Sequence, residues 1–248
     1  MADAVMAGAA ERMPGGKDVT WVPTCDAVVA RMLDMAGVSS GDHVIDLGSG
    51  DGRLVIEAAR RGATATGVEY DEDKVELATH NAVAAGVADR ASFIRADLFE
   101  VDLSRATVLT LFLLPALNLQ LRPKILALRP GTRVATNTFD FGDWEADAKL
   151  EVPPPECTAH CWALHWVVPA RVEGTWRTEG GELVIRQAFQ RLSGELRKDG
   201  LFHPAIGWLR GDTITLIAGG RTLHGQVQSD TIEGVWHGTG TPWRAVRS

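Results

Sequence analysis

The chain has 248 residues, 45% of them hydrophobic and 23% charged, enough for one sizeable domain and a smaller one. No run approaches 18 consecutive apolar residues, so no helical membrane span is expected. Three cysteines make no disulfide framework at this length, which fits a reducing, cytoplasmic setting. Residues 1–168 carry 15 Lys/Arg against 24 Asp/Glu, and residues 169–248 carry 10 against 8, so no basic stripe suggests a nucleic-acid partner.

Met1 to Gly16 is rich in small residues and lacks a basic start followed by an apolar stretch; it reads as a disordered tail rather than a signal peptide. Trp21-Val22-Pro23-Thr24 introduces a helix. Thr24 can cap it, Asp26 suits its positive end, and Val28, Val29, Met32 and Leu33 recur at helical spacing. His43 to Leu47 is an apolar strand that runs into Gly48-Ser49-Gly50-Asp51-Gly52, and a helix follows to Gly62. Glycine at every second position removes the Cβ atoms that would block a bound molecule. A second strand, Ala63 to Glu69, ends in an acid 23 residues after Asp46, where a carboxylate can accept both ribose hydroxyls of a nucleoside.

Asp71 to Ala85 reads as a helix with an acidic start, and Ala91 to Leu98 as a third strand ending in Asp97. Ala106 to Pro115 is a long apolar run of strand formers, the pattern of a central strand buried on both faces. Leu117 to Leu128 has helical periodicity, but Pro123 predicts a turn and then a helix from Arg122. Thr132 to Thr138 is a fifth strand. Strand and helix alternate throughout, so this part is α/β with a Rossmann-like, largely parallel sheet.

Which nucleoside suits the turn? A dinucleotide site uses G-x-G-x-x-G, whereas this chain reads Asp46-x-Gly48-x-Gly50-x-Gly52. The leading acid would repel a pyrophosphate but suits a ligand bearing an ammonium and a sulfonium. With this motif, Glu69 and Asp97, the chain resembles the class I S-adenosylmethionine-dependent methyltransferases. The segments Lys17 to Thr24, Asp46 to Arg53, Leu111 to Pro115 and Phe139 to Trp144 narrow the resemblance to bacterial relatives of the mitochondrial-type protein lysine methyltransferases.

That resemblance implies S-adenosylmethionine as cofactor. It places Gly48, Ser49 and Gly50 around the methionine part and Asp46 at its ammonium. Glu69 would hold the ribose, Tyr70 would pack on the adenine, and Asp97 with Leu98 would define the adenine pocket. Trp21 and Thr24 would close over the methionine end, and Leu113, with Leu114 and Pro115, would line the methyl-transfer site. Asp140 and Trp144, after the fifth strand, are the candidates for handling the acceptor. An amine acceptor, a protein lysine or a small molecule, is preferred; oxygen or sulfur acceptors and a non-catalytic cofactor-binding module remain alternatives. Cys157, His160, Cys161 and His165 raise a zinc site, but without a second C-x-x-C pair no metal is assigned.

After Trp144 the pattern changes. Ala148 to Val152 and Cys161 to Val168 read as an antiparallel pair of the kind that ends such sheets. From Pro169 onward, eight short alternating runs separated by glycine and aspartate turns predict an antiparallel barrel or sandwich with Trp176, Trp208, Trp236 and Trp243 as core aromatics. The expected organisation is a tail over 1–16, a cofactor-binding domain over 17–168 and a β domain over 169–248. The β domain would cover the site, recruit substrate or form a homodimer.

Overall fold

In the computed structural model, residues 21–248 are described; the tail expected over 1–16, and residues 17–20, lie outside them. The chain divides into two compact units. One runs through Ile125 and again over Arg133–Trp166; the other comprises Leu126–Thr132 and Val167–Ser248.

The first unit is built on α1 (Asp26–Met35), β1 (His43–Leu47), α2 (Arg53–Arg60), β2 (Thr64–Glu69), α3 (Glu72–Ala84), β3 (Ala91–Arg95), β4 (Val108–Leu111), α4 (Pro115–Leu126), β5 (Arg133–Asn137), β6 (Ala148–Glu151) and β7 (Trp162–Val167). Its sheet has the order β3-β2-β1-β4-β5-β7-β6. β1 to β5 pair in parallel, and β6 and β7 form the antiparallel pair. All four residues of β4 are buried, as its largely apolar sequence predicts. α1 buries Val28, Val29, Met32 and Leu33, the stripe read from their spacing.

Two local readings are corrected. Cys25, not Thr24, is the N-cap of α1, and it makes no side-chain capping bond. Thr24 is instead buried, and its carbonyl accepts Arg53 Nη1 at 2.6 Å. The second correction is α4, one continuous helix from Pro115 straight through Pro123. Proline at position 123 removes one N–H from the ladder, but Leu117, Asn118, Leu121 and Ile125 form a buried face on both sides of it. Packing of that face outweighs the lost bond.

The second unit is a closed eight-stranded antiparallel barrel: β8 (Gly174–Thr178), β9 (Gly181–Ala188), β10 (Arg191–Lys198), β11 (Leu201–Arg210), β12 (Thr213–Ala218), β13 (Arg221–Gln228), β14 (Thr231–Trp236) and β15 (Pro242–Arg247). β15 returns to pair with β8, which leaves no open edge. Inward positions alternate along the strands and fill the interior, among them Leu183, Ile185, Leu209, Ile214, Leu223 and Ile232. Gly225 and Gly234 lie opposite each other in register, and a Cβ on Gly234 would fall 2.3 Å from the carbonyl oxygen of His224. Only glycine fits so tight a bend.

Trp176 is fully buried, and its Nε1 donates to the carbonyl of Val172 at 2.8 Å. Trp236 and Trp243 pack edge to face at 6.2 Å. Trp208 departs from the expected core role: it is 50% exposed on the outer face of β11. Trp176→Phe leaves a void and a carbonyl without its donor, so it should destabilise the barrel by about 2 kcal/mol. Denaturant unfolding followed by tryptophan fluorescence checks this; an unchanged midpoint would contradict it.

Candidate active site

The sheet order reverses between β1 and β4, with β2 and β3 on one side and β5 on the other. Ligands of open α/β sheets bind beyond the carboxyl ends of the strands at such a reversal. Asp46 sits near the end of β1, in register with Thr110 of β4, and Thr110 Oγ1 donates to Asp46 Oδ1 at 2.7 Å. Asp46 is 2% exposed. Burial pushes its carboxyl up to about 7; the Thr110 bond opposes that shift, and the charges of Glu69 and Asp51 add to it. A buried acid with two further acids close by is costly alone and attracts a cation. Thr110 went unnoticed in the sequence because only strand pairing brings it to Asp46.

The turn after β1 is shaped for close approach. Gly48, Gly50 and Gly52 have φ of 78°, 52° and 83°. The N–H groups of Gly48 and Ser49 both donate to the carbonyl of Val68, which ties the turn to β2. Gly50 N–H donates to Glu69 Oε2 at 3.0 Å, while Glu69 Oε1 accepts from the N–H groups of Tyr70 and Asp71. Three backbone donors therefore fix the Glu69 carboxylate. The Trp21 indole lies against Gly50, with Nε1 2.2 Å from where a Cβ would be. The Lys74 ammonium sits 3.8 Å from the centre of that ring. Asp51 is held below the usual carboxylate range: burial raises it, but the hydrogen bonds and charge of Arg53 outweigh burial. Arg53 also reaches the Thr24 carbonyl, joining the entry segment to the turn.

After β3, Ala96 N–H donates to the carbonyl of Glu69, so Asp97 and Leu98 follow directly on a contact with β2. Asp97 is exposed, and its Oδ1 accepts the Phe99 N–H at 2.8 Å; Leu98 is half-buried and Tyr70 is 50% exposed.

Beyond β4, Leu113 is buried, and its Cδ2 lies 3.0 Å from the position of a Cβ on Gly48. Asn118 of α4 donates from Nδ2 to the carbonyls of both Phe139 and Asp140, which holds the loop after β5. Asp140 is exposed, and its Oδ1 accepts the Gly142 N–H in a tight turn. Asp143 pairs with Arg122. Trp144 must be corrected. It is fully buried beside Phe141 and Trp166, with ring centres at 5.4 and 6.0 Å, so it serves the core and cannot meet an acceptor.

Near the ends of β4 and β5, Phe112, Phe139 and His160 come together with ring centres 5.2–6.0 Å apart. An aromatic one residue after the end of β4 and another two residues after the end of β5 were the available signals for two of them. Cys157 and Cys161 are joined by a disulfide, a pairing not foreseen from their spacing, and the two cysteines bracket His160.

This donor set fits S-adenosylmethionine. Acidic groups at the cradle favour an ammonium and a sulfonium, and the three glycines leave room for the chain between them. The Ser49 hydroxyl, packed against Gly67 of β2, is buried without a hydrogen-bond partner among the described residues. The family model described as the ANTKMT methyltransferase domain matches residues 46–148. A protein-lysine N-methyltransferase of Saccharolobus islandicus is 44% identical over 137 residues, covering 54% of this chain and 85% of that protein. An adenine nucleotide translocase lysine N-methyltransferase of Mus musculus is 32% identical over 154 residues, 61% of this chain and 65% of that protein. Among solved structures, an RNA methyltransferase from Salinibacter ruber in complex with S-adenosyl-L-homocysteine is 46% identical with a TM-score of 0.57, covering 61% of this chain and 96% of that one. The glycine turn, the backbone-held Glu69 carboxylate and the relatives agree, and the chain belongs to the class I S-adenosylmethionine-dependent methyltransferases.

Proposed function

We propose that this methyltransferase acts on the side-chain amine of protein lysine. The observation that carries the reading is the 44% identity to a protein-lysine N-methyltransferase across 85% of that relative's length. The net of nine negative charges over residues 1–168 supports it, because an acidic surface draws lysine-rich segments and repels phosphate. A second reading, an RNA acceptor, is favoured by the name of the Salinibacter ruber structure and opposed by that charge.

Gly48, Ser49 and Gly50 wrap the methionine part of the cofactor, with Trp21 and Thr24 closing over it, Asp46 at its ammonium and Leu113 beside its methyl end. Glu69 takes the ribose, and Tyr70, Asp97 and Leu98 take the adenine. Bound S-adenosylmethionine supplies an already activated methyl group, so the protein's own task is to position a neutral amine and exclude water. Asp140 stands on the loop where that amine would arrive.

Incubating the full chain with methyl-labelled cofactor and cell extract tests the acceptor. Label that protease releases as methyllysine supports the proposal, and label that only ribonuclease releases overturns it. Asp140→Asn keeps the Oδ1 acceptor for Gly142 but removes the charge. It should lower turnover roughly tenfold with cofactor affinity unchanged, as expected for a group acting on the proton of the amine. Steady-state rates beside calorimetry separate the two effects.

A further inference from the structure

We propose that Phe112, Phe139 and His160 form the wall that receives the alkylammonium end of the acceptor, an inference that rests on the amine reading above. The three rings come from different segments: the end of β4, the loop after β5 and the loop before β7. Phe112 and Phe139 lie nearly parallel, 21° apart with centres at 6.0 Å, and His160 closes across them at 59° and 57°. A second aromatic cluster, Phe141, Trp144 and Trp166, has similar spacings but is wholly buried, as a core requires. The first trio differs: both phenylalanines are half-buried and His160 is exposed. The trio therefore keeps surface exposed to solvent, which the buried cluster lacks.

Backbone conformation points to the same place. Among the described residues, five non-glycines have positive φ. Phe189, Asp199 and Ser229 sit in tight hairpins of the barrel, where such φ values are routine. The other two are His160 itself, at 56°, and Thr138, at 61°, directly before Phe139. A β-branched residue rarely adopts this conformation, and such outliers persist where the surroundings impose them. Thr138 is held by its N–H to the carbonyl of Trp162 at 2.8 Å and by its hydroxyl to Asn137 Oδ1 at 2.9 Å. The Cys157–Cys161 disulfide closes the loop around His160.

The location is also right. Phe112 immediately precedes Leu113, which touches the Gly48 cradle. Aromatic faces attract an alkylammonium and still pack against its methylenes once the nitrogen is neutral. They demand no hydrogen bond, so the same wall tolerates added methyl groups. A nucleobase is disfavoured, because inserting one between two rings needs roughly 7 Å, two van der Waals thicknesses of about 3.5 Å each. Phe112 and Phe139 are closer than that.

The test is an NMR titration of the full chain, saturated with S-adenosylhomocysteine, using choline, its neutral isostere 3,3-dimethylbutan-1-ol, and adenosine. The expected result is a saturable shift of the Phe112, Phe139 and His160 ring signals, with the cation bound roughly fivefold more tightly than the isostere. His160→Ala, at an exposed position, should weaken cation binding about three- to tenfold, and His160→Phe should restore it. S-adenosylhomocysteine affinity should stay within about twofold in both variants, since neither ring contact lies in the glycine cradle. Several outcomes overturn the wall: no saturable ring shift, no preference for the cation, tighter binding of adenosine, or His160→Ala binding as the parent does. Failure of His160→Phe to restore binding overturns it too, because the imidazole would then act by hydrogen bonding. The amine reading fails separately, by label appearing in RNA in the extract assay.

Discussion

Replacing Gly50 by valine should weaken S-adenosylhomocysteine binding by at least about a hundredfold, some 3 kcal/mol. Two independent costs combine. The φ of 52° lies where a β-branched residue is strained, by about 1–2 kcal/mol. A Cβ would also meet Trp21 Nε1 at 2.2 Å, so the indole must leave the turn. The Gly50 N–H to Glu69 bond would shift with it, loosening the Glu69 carboxylate. Gly86 supplies the control. Its φ is also positive, at 70°, but nothing lies within 4 Å of its missing Cβ. Gly86→Ala should cost only about 1 kcal/mol of stability and leave binding intact. Calorimetric titration of both variants with S-adenosylhomocysteine checks this; equal affinities would remove the cradle role from the turn.

Asp46 should make cofactor binding depend on pH near neutrality. In the free protein its carboxyl is raised to about 7 from 3.8, with burial as the largest cause. The folded state therefore holds a proton that the unfolded chain gives up near pH 4. Stability from this group is present at low pH, declines as pH rises from about 4 to about 7, and is constant above, with a total of a few kcal/mol at most, at ~1.4 per pH unit. A cationic ligand favours the ionised form. Binding below pH 7 then releases a proton, and affinity should rise by up to about tenfold per pH unit until it levels off near 7. Asp46→Asn keeps an acceptor for Thr110 and should flatten this profile. It should also weaken S-adenosylmethionine binding at pH 8 by about ten- to a hundredfold, through loss of a charge-assisted contact. Calorimetry in buffers of different ionisation heat counts the proton directly. A parent protein that releases none at pH 6 would contradict the assignment.

Much of this candidate site could be proposed from the sequence because it is local. Asp46, the alternating glycines and Glu69 lie on one strand–turn–helix–strand unit, and a parallel unit of that kind puts its strand ends together whatever surrounds it. The antiparallel β domain was legible too, from eight alternating runs with glycine turns, but as a barrel or a sandwich; the pairing of β15 with β8 is what closes it. Pro123 shows where local reading stops: its effect depended on whether the buried face of α4 could hold the helix across it. Trp144 is similar, because an aromatic on a loop after a strand serves a ligand or the core according to which neighbours reach it.

The sequence by itself determined the order of elements, the class of cofactor and the change from α/β to all-β near residue 168. These follow from periodicity and from residue types whose backbone or charge demands are met within a few positions. Tertiary structure alone decided that Thr110 bonds Asp46, that Trp144 belongs to the core, that Cys157 meets Cys161, and that Phe112, Phe139 and His160 share one face. Each of these is an encounter between side chains, and all but the cysteine pair join segments far apart in the chain. Strand register and loop closure set their distances, and neither is encoded at any single position.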